Sequence, residues 1–101
     1  MIKIPQNIKK LMTAKKTLAV VLDEIKEIAS EFEGTKFELF IEVDPEDGEK
    51  TLMLRVISSD IPRRKLDKQL RAAMLPVFSK SVRAGLPVIH TFDEPAFSEY
   101  A

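Results

Sequence analysis

Residues 35–59 read TKFELFIEVDPEDGEKTLMLRVISS, and this stretch decides the fold. On both sides of its centre, apolar and polar residues alternate with a period of two, which is typical of strands. The central residues 44–49, Asp-Pro-Glu-Asp-Gly-Glu, are rich in turn formers, and the Asp-Gly step accepts a left-handed backbone. We therefore predict a β-hairpin, whose strands place these residues on one face: Phe37, Leu39, Ile41, Val43, Leu52, Leu54 and Val56.

The opposite face of this hairpin is partly apolar. Phe40, Met53 and Ile57 interrupt its charged residues. Such a face is either covered by another part of the molecule or is a contact surface.

Helical periodicity dominates the chain before the hairpin. From Pro5 to Phe32 apolar residues recur at steps of three and four, and Gly34 supplies a stop. One continuous helix over this range would be about 42 Å long at about 1.5 Å per residue. A domain of this size has a diameter of roughly 33 Å. The helix therefore either breaks near Thr13, which could cap a second helix from Ala14, or packs on another chain.

A second helix and a third strand follow the hairpin. Residues 58–60, Ser-Ser-Asp, offer helix caps, and Gly85 ends the helix. Pro76 lacks a backbone donor, so we expect a kink or a two-piece helix there. Residues 88–92, Val-Ile-His-Thr-Phe, predict the strand. The predicted inward stripe of the helix comprises Leu66, Leu70, Ala73, Met74, Val77 and Phe78.

The element order α-β-β-α-β predicts a two-layer α+β fold, with the helices on one face of a small, mostly antiparallel sheet. A strand at residues 2–4 would change the order to β-α-β-β-α-β, the ferredoxin-like plan, which we keep as the alternative. The 101 residues suit one domain. We expect this domain over residues 1–92 and a flexible C-terminal tail over residues 93–101.

The composition limits the kinds of site and location that we expect. The absence of cysteine rules out disulfides, thiolate metal sites and a cysteine nucleophile. No run approaches the ~20 apolar residues of a membrane span, and the N-terminus lacks the apolar stretch of a secretory signal. The three glycines are isolated, so there is no glycine-rich phosphate loop. We expect a cytoplasmic protein with no membrane contact.

The formal net charge is zero, yet the signs lie in blocks along the chain. Residues 1–20 sum to +5, residues 21–50 to −8, residues 51–85 to +6 and residues 86–101 to −3. In the first helical segment the lysines precede the acids, which opposes the helix dipole. Two such helices lying antiparallel would match the basic half of one to the acidic half of the other. The blocks therefore predict a homo-oligomer, with an antiparallel dimer as the first expectation.

Two groups of basic residues are candidate binding sites. Arg64, Lys68 and Arg71 share one face of the second predicted helix, with Arg63 beside them. Such a face binds phosphates or an acidic protein partner, including residues 23–49 of a second copy. With no tryptophan and one tyrosine the chain offers few rings for base stacking, so we rank nucleic acid below a protein partner. The lysines that would extend a nucleic-acid surface are Lys9, Lys10, Lys15 and Lys16.

His90 is the only histidine and is therefore a candidate general base or metal ligand. A metal site would need carboxylates such as Asp93 and Glu94, which suit a hard cation better than zinc. A lone strand histidine more commonly faces water or a polar neighbour, and the acidic residues 44–49 lack the EF-hand spacing. We predict no bound metal and no cofactor.

The sequence contains few residues in a context that favours catalysis. The serines lie in no nucleophile motif, and His90 has no clear orienting acid in the sequence. We expect a non-catalytic protein–protein interaction or regulatory module that self-associates. The alternative is a nucleic-acid-binding protein that uses the basic face of the second helix, and a ligand-binding or enzymatic role around His90 comes third.

Overall fold

The computed structural model describes residues 1–93. Helices and strands both contribute, which confirms the α+β class. Apart from Asp93, the expected tail over residues 93–101 lies outside the described residues. The described elements are β1 (Ile2–Lys3), α1 (Gln6–Thr13), α2 (Lys16–Glu31), β2 (Thr35–Val43), β3 (Lys50–Ser59), α3 (Arg63–Arg83) and β4 (Val88–Phe92).

The N-terminal helical segment breaks into two helices. α1 ends at Thr13 and α2 begins at Lys16, close to the predicted break. The Thr13 hydroxyl does not cap α2, because it donates to the Lys9 carbonyl at 2.7 Å and closes the last turn of α1. Lys15 precedes α2 in an extended conformation, with φ −125° and ψ 137°. The antiparallel dimer was predicted from one overlong N-terminal helix. Since that helix is divided into α1 and α2, this reason for the dimer no longer applies.

The described strands form one mixed sheet in the order β1-β2-β3-β4. β2 and β3 make the predicted antiparallel hairpin, with Leu39 opposite Leu54. β1 pairs parallel with β2, and β4 pairs parallel with β3. The prediction of a mostly antiparallel sheet is therefore wrong, because two of the three described strand pairs are parallel.

Neither predicted element order describes this fold. The order α-β-β-α-β lacks β1 and counts α1 and α2 as one helix. The ferredoxin-like alternative includes a strand before the first helix, as observed. In a split β-α-β unit, however, another strand separates the two strands that the helix joins. Here β1 lies directly beside β2, and β3 directly beside β4.

The helices cover one face of the sheet and share one apolar core with it. Met12 of α1, Ile25 of α2 and Leu70 of α3 belong to the same core as the central sheet residues Leu39 and Leu54, and all five are almost fully buried. The hairpin face predicted to be apolar is thus the face under the helices. Burial of these side chains is the main favourable contribution to folding.

We expected a kink or a two-piece helix at Pro76. α3 is continuous from Arg63 to Arg83, so the two-piece alternative is wrong. Pro76 removes the backbone donor that would reach the carbonyl of Ala72. Both residues are exposed, so water can bind that carbonyl instead. Among the described residues, no helix combines the length and the apolar character required to cross a membrane.

Candidate protein-interaction surface

One flank of α3 carries exposed residues at alternating steps of four and three. This heptad-like spacing keeps them on one side of a helix. The three nearer the N-terminus of α3 are basic, and the three nearer its C-terminus are apolar. We call the following six residues the α3 row: Arg64, Lys68, Arg71, Leu75, Phe78 and Val82.

The apolar half of the α3 row is open to solvent. Leu75 is 69% exposed, Phe78 40% and Val82 48%. Single apolar residues on a surface are ordinary, but three large ones in successive turns of one helix flank form a stripe. Such a stripe is typical of a helix that packs against another surface.

A buried serine explains why Phe78 points outward. Ser81 is fully buried, donates from its hydroxyl to the Phe78 carbonyl at 2.7 Å, and accepts from the Val88 N–H at 2.9 Å. Through these two bonds the hydroxyl links α3 to β4. Ser81 thus occupies a position in the inward stripe of α3, beside Val77 and Met74. The prediction that Phe78 faces the core is therefore wrong.

The α3 row lies on the flank of α3 that faces away from α2. Lys80 of α3 pairs with Glu24 of α2, and Gln69 and Ala73 line a groove together with Ser30 of α2. An α-helix turns by about 100° per residue, so Lys80, Gln69 and Ala73 lie on the opposite side of α3 from the α3 row. The row therefore faces past β4, at the edge of the sheet.

His90 connects β4 to the same flank. Its Nε2 lies 2.8 Å from Asp67 Oδ1, and the other oxygen of Asp67 lies 3.2 Å from Arg71 Nε. A carboxylate oxygen only accepts, so Nε2 is the donor of the first bond. The His90 side chain is 14% exposed and its ring meets Phe92 edge-on. This geometry supports a structural link between β4 and the α3 row.

No metal centre is visible in the part of the chain that the structure describes, where no three His, Cys, Asp or Glu side chains group to hold an ion. Asp44 accepts the Glu46 N–H and Asp47 accepts the Glu49 N–H, both at 2.8 Å. These bonds give the acidic hairpin tip a role in its own turn. Glu94, which was paired with His90 and Asp93 in the metal hypothesis, lies outside the described residues.

The structure separates the two predicted groups of basic residues. α1, which carries Lys9 and Lys10, packs on α2 and β2. The start of α2 lies at the C-terminal end of α3, where Thr17 and Arg83 line one groove. The basic half of the α3 row is at the other end of α3, so the groups form no single basic surface. The four N-terminal lysines are all exposed: Lys9, Lys10, Lys15 and Lys16.

Arg63 lies apart from the α3 row although it precedes Arg64 in the chain. Its guanidinium stands over the Phe92 ring at 5.0 Å from the ring centre. A cation at this distance is attracted to the face of the ring. Arg63 therefore contributes to the junction between α3 and β4.

The second face of the sheet is covered in part by its own long side chains. The Arg55 guanidinium lies 4.3 Å from the centre of the Phe40 ring and 3.8 Å from a carboxylate oxygen of Glu38. Met53, directly opposite Phe40, is buried. Ile89 of β4 remains 44% exposed on this face. The uncovered apolar surface of this face thus includes the edge at β4.

Comparison of the chain with protein-family models, with curated proteins and with solved structures finds no significant match. The function must therefore be inferred from the surfaces described above.

Proposed function

We propose that this protein is a non-catalytic protein–protein interaction module that self-associates through the α3 row. The observation that supports the proposal is the exposed stripe of Leu75, Phe78 and Val82 on one helix flank. Covering apolar surface contributes about 25 cal/mol per Å² to association. A helix flank of this spacing fits a second helix laid along it.

The polar groups beside the α3 row support binding rather than chemistry. Asp67 links His90 of β4 to Arg71 of α3 through the contacts described above. The buried hydroxyl of Ser81 is engaged by two backbone groups. Groups held in this way fix the shape of a surface, which lowers the entropic cost of docking.

The basic half of the α3 row adds orientation to this surface. Arg64, Lys68 and Arg71 are exposed, and their aliphatic stems can lie over apolar surface while the charges stay in water. Charges at the rim of an interface mainly select the partner and its direction. A partner surface with one apolar half and one acidic half would match the row.

Replacing both Leu75 and Phe78 by serine tests this function. Each side chain contributes about 1.5–3 kcal/mol when fully buried. We therefore expect the dissociation constant of self-association to rise by about 100-fold or more. Sedimentation velocity over a concentration series measures this change.

Val43→Ser is the matched control, because Val43 is 52% exposed at the far end of the hairpin. Its dissociation constant should equal that of the wild type. A wild-type protein that stays monomeric, or a Leu75→Ser/Phe78→Ser variant that associates like the wild type, would contradict the proposed function.

A second candidate function is nucleic-acid binding, favoured by the three exposed bases of the α3 row. Arg64 and Lys68 have no ion-pair partner among the described residues, so they are available to phosphates. Binding of this kind weakens with salt and is lost on charge reversal. Arg64→Glu/Lys68→Glu should abolish any gel shift at low salt, and a wild-type protein that shifts no duplex or single strand would dismiss this candidate.

A further inference from the structure

A group of basic residues surrounds the junction between α1 and α2. Each of them is exposed, and none forms an ion pair with another described residue. Arg83 at the end of α3 belongs to the same part of the surface, since it lines one groove with Thr17 and Val20 of α2. We call the following five residues the basic corner: Lys9, Lys10, Lys15, Lys16 and Arg83.

The fold leaves the basic corner without compensating charge. No acid precedes Asp23 in the chain, and Asp23 lies about 10 Å along α2 from Lys16 at about 1.5 Å per residue. Electrostatic screening acts over about 8 Å at physiological ionic strength, so the acids of α2 neutralise the corner only weakly. Lys80, which lines the same groove as Arg83, is different because Glu24 pairs with it.

Exposed aliphatic side chains lie among these charges. Leu11 of α1 is 38% exposed and Val20 of α2 is 49% exposed. Leu11 follows Lys10 in the chain, and Val20 comes about one helical turn after Lys16. Residues 1–31 contain no aromatic ring, so the bases of a nucleic acid would find none to stack on in this part of the chain.

The two helices direct their lysines to the same side of the molecule. An α-helix turns by about 100° per residue, so Lys10 lies opposite the buried residues Ile8 and Met12 of α1. By the same rule Lys16 lies opposite the buried Ile25 of α2. Both helices cover the same face of the sheet, so Lys10 and Lys16 both point away from the sheet.

We infer that the basic corner binds an anionic lipid surface. Clusters of about 4–8 lysines and arginines on amphipathic helices bind anionic phospholipids. The lysines contact the headgroups, while Leu11 and Val20 enter the boundary between headgroups and acyl chains. The expectation of no membrane contact came from the lack of a spanning segment, which binding at the surface of a bilayer does not need.

The acids of α2 determine how the molecule approaches the lipid. Asp23 and Glu27 are exposed on the outer side of α2, nearer to its C-terminal end than Lys16 is. A negative surface repels them, so the protein meets the bilayer by the basic corner and not by the whole layer of helices. A single copy of the chain carries the complete corner, so this inference does not depend on self-association.

Co-sedimentation of the full-length protein with vesicles tests the inference. We expect the protein to sediment with vesicles made of equal parts of phosphatidylcholine and phosphatidylserine. It should stay in the supernatant with pure phosphatidylcholine, and high salt should release it from the mixed vesicles. A wild-type protein that does not bind the mixed vesicles at low salt would overturn the inference.

Two variants with the same change of net charge locate the contact. The corner variant carries glutamine in place of Lys9, Lys10, Lys15 and Lys16, and we expect its partition coefficient to fall by at least about 100-fold. The control variant carries glutamine in place of four exposed lysines elsewhere, and it should keep most of the binding. Equal losses for the two variants would contradict a contact at the corner. The control positions are Lys26, Lys36, Lys50 and Lys65.

A second pair of variants measures the apolar contribution. Leu11→Ser/Val20→Ser should lower the partition coefficient for the mixed vesicles by about 10-fold or more, because less apolar surface leaves water. Val43→Ser/Ile89→Ser is the control, since both residues are exposed on strands away from the corner. Its partition coefficient should equal that of the wild type, and the same result for Leu11→Ser/Val20→Ser would contradict insertion of these side chains.

These outcomes separate the lipid surface from a nucleic acid and from the proposed function. A wild-type protein that shifts duplex DNA but ignores vesicles, with the shift lost in the corner variant, would overturn the lipid and assign the corner to nucleic acid. A monomer that binds vesicles through the corner would contradict the proposed self-association and support this inference.

Discussion

Leu54→Ala is expected to lower the free energy of unfolding by about 2–5 kcal/mol. Leu54 lies at the centre of β3, is fully buried and faces Leu39 across the hairpin. Shortening it removes buried methyl groups and leaves a cavity between the sheet and the helices. Urea unfolding followed by circular dichroism measures the change at constant m value.

Val43→Ala is the control for that measurement, because Val43 stands at the exposed end of the same hairpin. Its effect should stay within about 0.5 kcal/mol. A decrease of less than about 1 kcal/mol in the free energy of unfolding of Leu54→Ala would contradict the core described here. Replacing a buried leucine by alanine in a close-packed interior costs more than this.

Gly34→Ala is expected to lower the free energy of unfolding by about 1–2 kcal/mol. Gly34, between α2 and β2, has a φ of +78°, and a Cβ there would lie 2.8 Å from the carboxyl carbon of Asp60. The left-handed backbone alone costs about 1–2 kcal/mol for alanine. Crowding against Asp60 adds less than this, because the atoms in the way belong to the carboxylate of an exposed, flexible side chain that can shift. Thermal or urea unfolding measures the sum.

Gly48→Ala separates these two contributions. Gly48 has a φ of +73°, but a Cβ at this position would meet no atom within 4 Å, so this variant should show the backbone cost alone. Adding Asp60→Ala to Gly34→Ala should recover the cost of crowding. Equal losses for Gly34→Ala and Gly48→Ala would show that Asp60 moves aside freely.

The hairpin was predictable because its information is local. Alternation in residues 35–59 fixes which side chains share a face, and the turn residues at 44–49 fix where the chain reverses. The observed strands, Thr35–Val43 and Lys50–Ser59, meet these limits. The break after Thr13 was one of two alternatives that the length of the helix relative to the domain left open; the other was packing on another chain.

The sheet order was not predictable from such local rules. Parallel connections are overwhelmingly right-handed. With the order β1-β2-β3-β4 and the helices on one face, the β1–β2 and β3–β4 connections must have opposite hands. A prediction that required a right-handed connection for both the β1–β2 and the β3–β4 pair would therefore choose another strand order. β1, with two residues, is also too short to give a strand signal of its own.

Only the basic half of the α3 row was predicted from the sequence. Arg64, Lys68 and Arg71 were identified by their spacing, which continues through Leu75, Phe78 and Val82. That continuation was missed because apolar residues in a helix are assigned to the core by default. Only the buried hydroxyl of Ser81, bound to α3 and β4 at once, shows that the helix is rotated to leave Phe78 outside.

His90 shows the limit of reasoning from single residues. From the sequence, His90 could be a general base, a metal ligand or a strand residue facing water, and it had no clear orienting acid. The fold supplies Asp67 from a helix 23 residues away. A contact of that sequence separation depends on how α3 lies across β4, which no local pattern encodes.

The measurement that tests the central claim most directly is the molar mass of the unmodified protein by sedimentation equilibrium across a concentration series. Self-association through the α3 row predicts a rise from the monomer mass of 11.5 kDa to twice that value, with no larger species. A mass that stays at 11.5 kDa up to the solubility limit would contradict self-association.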